Sequence, residues 1–121
     1  MRVKDQGTGW ERDVEGMCKD AGLKVWRLAE HGSNDQGDLM VESRWGRIVI
    51  ECKCRGNLPV HAAVGKANSK ARHPSTFPAR MAVVAWKRLV DTGGVRRRQA
   101  GRPVAVMDLE DLLCLLGGDD G

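Results

Sequence analysis

The sequence predicts a single mixed α/β domain, a mixed β-sheet flanked by helices, in the order α-β-β-β-α-β-β-α. Three observations predict it. Segments with helical apolar spacing are interleaved with short strand-like runs. One helix-sized segment separates two strand runs and so supplies a parallel crossover. A length of 121 residues, 41% of them hydrophobic and 30% charged, suffices for one globular core and not for two.

A first helix is expected over 8–21, because Trp10, Val14, Met17, Cys18 and Ala21 recur at helical spacing, with Gly22 as a natural stop. Residues 23–28 (LKVWRL) alternate apolar with basic and read as a strand. A polar, turn-rich loop follows over 29–37. Two strands, 38–43 and 47–55, then flank a tight turn at Arg44-Trp45-Gly46. Pro59 suits the first position of a second helix, which runs to about His73 and ends at Pro74. Its apolar face is Val60, Ala63, Val64, Ala67 and Ala71, and Gly65 weakens its middle by about 1 kcal/mol. Residues 80–87 carry a continuous apolar centre, Met81 to Trp86, as a strand covered on both faces requires. After a basic, glycine-rich loop come a short strand, 103–107, and a helix, 109–116, capped by Asp108 with Glu110 and Asp111 at its positive end. The core is expected over about 7–107, the last helix over about 108–116, and a frayed acidic tail over 117–121.

Composition excludes several functions. There is no tyrosine, hence no tyrosine-nucleophile recombinase or type-I topoisomerase. The longest apolar run is strand-sized, so no membrane partner is expected. The N-terminus has no apolar signal region, which predicts a cytoplasmic, non-secreted protein. Cys18, Cys52, Cys54 and Cys114 are then expected as free thiols, buried as small hydrophobes. Their spacing argues against zinc. Twenty Lys+Arg against sixteen Asp+Glu give a net charge of +4. The excess is uneven: Lys87 to Arg102 holds six basic residues and one acid, while many acids fall in the first half. Such a balance is compatible with nucleic acid.

The chemistry lies in the hairpin. In its second strand Ile48, Ile50, Cys52 and Cys54 share one face, and Val49, Glu51 and Lys53 share the other. Asp38 opens the first strand. A loop at Arg44-Trp45 pairs it with Glu51, and a loop at Trp45-Gly46 pairs it with Lys53. Both registers put Asp38 on the Glu51 face, with opposed Cβ atoms roughly 4.5–5.5 Å apart, whereas a three-residue loop would flip one strand and break the pairing. Two carboxylates that close either take up a proton or hold a cation. Their hard oxygens suit Mg²⁺ or Mn²⁺. With Lys53 alongside, the set meets the needs of metal-assisted phosphodiester hydrolysis.

The stretch Gly9-Trp10-Glu11-Arg12-Asp13, then Gly37-Asp38-Leu39, then Ile50-Glu51-Cys52-Lys53, then Leu58-Pro59 opening a helix, resembles the PD-(D/E)XK nuclease superfamily. Within it the chain is most similar to archaeal-type Holliday-junction resolvases, over roughly residues 7–88. The resemblance implies an αβββαβ restriction-endonuclease-like core, extended here by a C-terminal strand and helix. It implies that Asp38, Glu51 and Glu11 bind Mg²⁺, with the Cys52 carbonyl as a further metal ligand. Lys53 would assist the attacking water, and Ser33 would act near the scissile phosphate. The sequence departs from the pattern in three ways: Gly37 replaces a proline, the helix glutamine frequent in such nucleases has no counterpart (Lys66 lies nearest), and the usual Tyr and Phe are missing. Glu11 has a rival role, since Thr8-x-x-Glu11 reads as a capping box. Ser33 equally suits a turn, and the loop residue His31 suits a solvated one.

Lys66 and Lys70 share a helix face and, with Arg27, Arg55, Arg96, Arg97 and Arg98, are expected to track a DNA backbone. The expected activity is that of a structure-selective, Mg²⁺-dependent endodeoxyribonuclease, a Holliday-junction resolvase of recombination and repair, working as a homodimer. The leucine-rich last helix is the candidate dimer surface, with core packing as the rival. Alternatives are a broader repair, exonucleolytic or restriction-type nuclease of the same superfamily, or a non-catalytic basic DNA-binding module.

Overall fold

A computed structural model gives the structure of residues 3–28, 38–73, 76, 79–91, 93–94 and 97–117, with residues 3–8 described by main chain alone. His31, Ser33, Pro74 and Arg96 lie outside the described residues, as does the tail from 118 onward. The element order is α1 (Val3–Asp20), β1 (Lys24–Arg27), β2 (Asp38–Ser43), β3 (Gly46–Arg55), α2 (Val60–Ala71), β4 (Ala79–Val90), β5 (Arg98–Gln99), β6 (Val104–Val106) and α3 (Leu109–Gly117). The fold is mixed α/β, as expected.

One mixed sheet runs β1-β2-β3-β4, antiparallel at the first two junctions and parallel at β3–β4, where α2 is the crossover. The far edge of β4 is shared by β6, against Val84–Trp86, and β5, against Leu89–Val90. The two helical layers divide the core by strand alternation. Trp10, Val14 and Cys18 of α1 pack on Leu39, Val41, Cys52 and Cys54. Ala63, Val64, Ala67 and Ala71 of α2 pack on the other face, against Met40, Val49, Ala82 and Val84. Each large apolar residue so buried contributes about 1.5–3 kcal/mol. Trp10 also satisfies its polar end, donating from Nε1 to the Ala85 carbonyl at 3.0 Å. Three alanines in the α2 stripe let that helix lie close to the sheet, and this proximity shapes the site.

Several expectations need correction. Helix α1 starts at Val3, not at residue 8, so Thr8 and Glu11 lie inside the helix and Thr8 is not its N-cap. Met17 is 53% exposed and Ala21 is exposed, because the stripe that meets the sheet narrows to Trp10, Val14 and Cys18. Pro59 is the N-cap of α2 rather than its first residue, with an extended ψ of 92°. Strand β4 continues to Val90, and the expected basic loop contains β5. Asp108 opens α3 through its carbonyl, which accepts from Leu112 N–H, while its Oδ2 accepts from Asn68 Nδ2 at 2.8 Å. No residue of α3 is buried, which removes the core-packing reading of that helix. Cys18, Cys52 and Cys54 are buried free thiols, but Cys114, on α3, is exposed.

Candidate active site

The hairpin turn sets the site. Arg44 and Trp45 form a two-residue loop closed by Ser43↔Gly46, and Gly46 takes φ +117°, a region that glycine tolerates. The turn is pinned from three sides. Trp45 N–H donates to Ser43 Oγ at 3.1 Å, Ser43 Oγ donates to the Gly46 carbonyl at 2.8 Å, and Arg80 Nη1 donates to the Trp45 carbonyl at 3.1 Å. Of the registers open to the sequence, this loop selects Asp38↔Glu51.

The pair is of the closer kind. Leu28 N–H donates to the Asp38 carbonyl at 3.0 Å, so the backbone polar groups of Asp38 face β1 and not β3. Asp38 and Glu51 are therefore a non-hydrogen-bonded pair, in which opposed Cα atoms stand only about 4.5 Å apart. By the same alternation the backbone carbonyl of Cys52 faces the β2 side, next to Asp38. Its thiol is on the α1 face, fully buried, and burial first, then the charge of Glu11, push its pKa up.

Helix α2 completes the cluster. From Val60 to Lys70 the helix climbs about 15 Å back over β3, or four to five strand residues from Arg55, which lands Lys70 over Glu51. Lys70 Nζ lies 2.9 Å from Asp38 Oδ2 and 3.2 Å from Glu51 Oε1. Lys53 Nζ lies 3.3 Å from Glu51 Oε2. Glu51 is fully buried and Lys53 nearly so. Two anions and two ammonium groups thus interlock beneath α2. Asp38 Oδ1 and both Glu51 oxygens are buried and accept no well-directed hydrogen bond, the ammonium groups standing at ion-pair distance only.

Burial raises the Asp38 pKa, and the Glu51 charge adds to the rise, against a hydrogen bond and charge from Lys70 and the charge of Lys53. Burial works against the Lys70 ammonium, but the hydrogen bond and charge of Asp38, with Glu51, outweigh it and raise its pKa. The two shifts pull an ion pair in different senses. The 2.9 Å contact decides for the charged pair at neutral pH.

Asp38, Glu51 and Lys53 are brought together as the sequence suggested. Glu11 is nearly buried, but α1 packs on the Cys52 face, and among the described residues no group of three His, Cys, Asp or Glu side chains is placed to hold a metal. The donors that fit a hard divalent ion are Asp38 and Glu51, with their buried oxygens lacking hydrogen bonds, and the Cys52 carbonyl. Lys70 was legible only as a basic residue on a helix face; its place between the carboxylates followed from the length of the crossover.

A cleft of about 200 Å³ opens beside the cluster, lined by Glu51, Lys53, Arg55 and Lys66 among others. Arg97 reaches the end of β3: a Cβ on Gly56 would lie 3.2 Å from its Nη1. Arg98 is exposed on β5. Arg27 is set apart, because its Nε donates to Glu15 Oε1 of α1 at 3.1 Å, on the other face of the sheet. No helix among the described residues is long and apolar enough to cross a membrane. The chain matches no protein-family profile, no curated protein and no solved structure.

Proposed function

We propose that the chain is a Mg²⁺-dependent DNA endonuclease of the PD-(D/E)XK type, acting on branched DNA as a Holliday-junction resolvase. One observation carries this reading: two directly opposed carboxylates, with buried oxygens that accept no hydrogen bond, sit beside a buried lysine at the edge of a basic cleft. A solvated pair of surface acids would need none of this burial. A non-catalytic DNA-binding surface gains nothing from anions that repel phosphate.

In this mechanism Asp38, Glu51 and the Cys52 carbonyl would hold the divalent ion, with Mn²⁺ as a substitute for Mg²⁺. When bound, the ion supplies Lewis-acid activation of the phosphodiester and of the attacking water. Lys53, held by Glu51, orients that water and balances charge. Arg55 and Lys66 grip the flanking phosphates. Water attacks in line and displaces the 3′ oxygen, which leaves a 5′ phosphate and a 3′ hydroxyl. Ser33 keeps the role near the scissile phosphate that the resemblance implies, whereas Glu11, on the helix that packs on the Cys52 face, is left out of the donor set. Resolution of a four-way junction needs two symmetric nicks and hence a homodimer, and the exposed leucines of α3 (Leu109, Leu112, Leu113 and Leu116) are the surface assigned to it.

The test is a cleavage gel of wild type, Asp38→Asn and Glu51→Gln on a labelled four-way junction, a flap and a linear duplex, with and without Mg²⁺. Cleavage of the junction by wild type alone, and only with metal, is the expected result. Equal rates on linear duplex point to a broader nuclease of the same superfamily. Metal-dependent cleavage that survives loss of either carboxylate rejects the reading.

A further inference from the structure

Resting on the metal reading of the site, we propose that the Lys70 ammonium is the resident counter-cation of the Asp38–Glu51 pair and that a divalent ion enters only by displacing it. The first ground is position. Lys70 Nζ touches one oxygen of each carboxylate, at 2.9 and 3.2 Å, so a cation drawn to both anions would compete with this ammonium for the same oxygens.

The second ground is charge. Asp38 and Glu51 carry two negative charges and Lys53 and Lys70 two positive ones, so the buried cluster is neutral. Adding a divalent ion to that set leaves two uncompensated positive charges in a poorly solvated place, which is strongly unfavourable. Withdrawal of one ammonium cuts the excess to one, and a substrate phosphate in the adjoining cleft removes the rest. Metal and DNA are thereby coupled through one side chain.

The third ground decides which lysine leaves. The Lys53 side chain is 5% exposed, whereas that of Lys70 is 26% exposed and so has less to uncover on moving into solvent. The helix itself stays. Thr76, nearly buried, brings its hydroxyl to the carbonyls of Lys70, Ala71 and His73 and so fastens the last turn of α2. Only the side chain needs to move.

Competition for the same oxygens is a negative coupling, and it is reciprocal. Calorimetric titration of Mn²⁺ into wild type, Asp38→Asn, Glu51→Gln and Lys70→Met measures it. Lys70→Met is expected to bind Mn²⁺ about tenfold more tightly than wild type, and its melting temperature to rise more on saturation. A second measurement needs no variant. The Lys70 ammonium resonance of the wild-type protein, followed by NMR, is expected to be slowed in exchange without metal and to lose that protection when Mg²⁺ saturates the site. Wild-type Mn²⁺ binding that depends on both carboxylates, yet changes less than about twofold in Lys70→Met, leaves the metal reading standing and overturns displacement. So does an ammonium signal unmoved by saturating Mg²⁺. Wild type that takes up no Mn²⁺ through Asp38 and Glu51 overturns both.

Discussion

Glu51 and Lys53, two residues apart on β3, form an ion pair at 3.3 Å in which both side chains are almost wholly buried. Such a pair contributes little net stability, but removing one member strands the other charge. Lys53→Met leaves two buried carboxylates to share the one Lys70 ammonium and is therefore expected to destabilise the fold, by less than the roughly 3–5 kcal/mol of a wholly unpaired buried charge. The double variant Glu51→Leu/Lys53→Met removes both charges and leaves the Asp38–Lys70 pair balanced. Its loss should be well below the sum of the two single losses, as measured by urea unfolding. Additive losses would mean that the two groups do not act as a pair.

Much of this site was legible in the sequence, for stated reasons. Period-2 alternation alone puts Glu51 and Lys53 on one face and Cys52 on the other. The Asp38 strand begins where expected, and either two-residue loop places Asp38 on the Glu51 face, although a three-residue loop would have flipped it. The final choice was not legible, because loop length is not fixed by strand alternation, and one of the contacts on the turn comes from Arg80, distant in sequence. Lys70 was similarly hidden: its i, i+4 relation to Lys66 shows a basic helix face but not which strand residue lies beneath. The start of α1 was missed because residues 3–7 lack apolar periodicity. The bare apolar face of α3 could not be foreseen, since leucine spacing looks the same whether a helix is covered or exposed.

Stability should fall with rising pH in both the acid and the alkaline limb. The Asp38 pKa is raised in the folded state, so the folded chain holds that proton more firmly than the unfolded one. Its contribution to stability is present below the ordinary aspartate value, about 3.9, and is lost as pH rises through the raised one. Asp38→Asn should flatten this fall. Lys70 is also raised, so its contribution is present below the ordinary lysine value and lost as pH climbs through the raised value. Lys70→Met should flatten the alkaline limb alone. Unfolding curves from pH 3 to 11 on the three proteins decide both. An acid slope unchanged in Asp38→Asn would place the titration elsewhere.

The four thiols should separate cleanly by reactivity. Cys52 is pushed far up, first by burial and then by Glu11, Asp38 and Cys18. Burial likewise raises Cys18 and Cys54. A thiol without thiolate character is a poor nucleophile. Cys114 is the one exposed thiol of the four. A disulfide reagent should therefore modify one thiol per molecule rapidly in the native protein and all four after denaturation. If Cys114 of the native protein is protected at high concentration and reactive on dilution, α3 is covered by a second copy.

The cleft makes a graded prediction for DNA affinity. Arg55 and Lys66 line it beside Glu51 and Lys53, Arg97 lies against Gly56 at the end of β3, and Arg98 is exposed on β5. Arg27 sits on the other face, paired with Glu15. Removing one cation from a bound phosphate should lower the slope of log affinity against log salt by about one. Lys66→Ala and Arg97→Ala are expected to show this, and Arg27→Ala is not. Gly56→Ala offers a check that keeps every charge: its new Cβ would come within 3.2 Å of Arg97 Nη1 and 3.3 Å of the Leu89 carbonyl. The guanidinium can swing aside but the carbonyl of a paired strand cannot, so about 1–3 kcal/mol of stability should go with it. Affinity measured on a four-way junction from 50 to 300 mM salt separates the cases. Equal slopes for Arg27→Ala and Lys66→Ala would show that DNA does not follow the cleft.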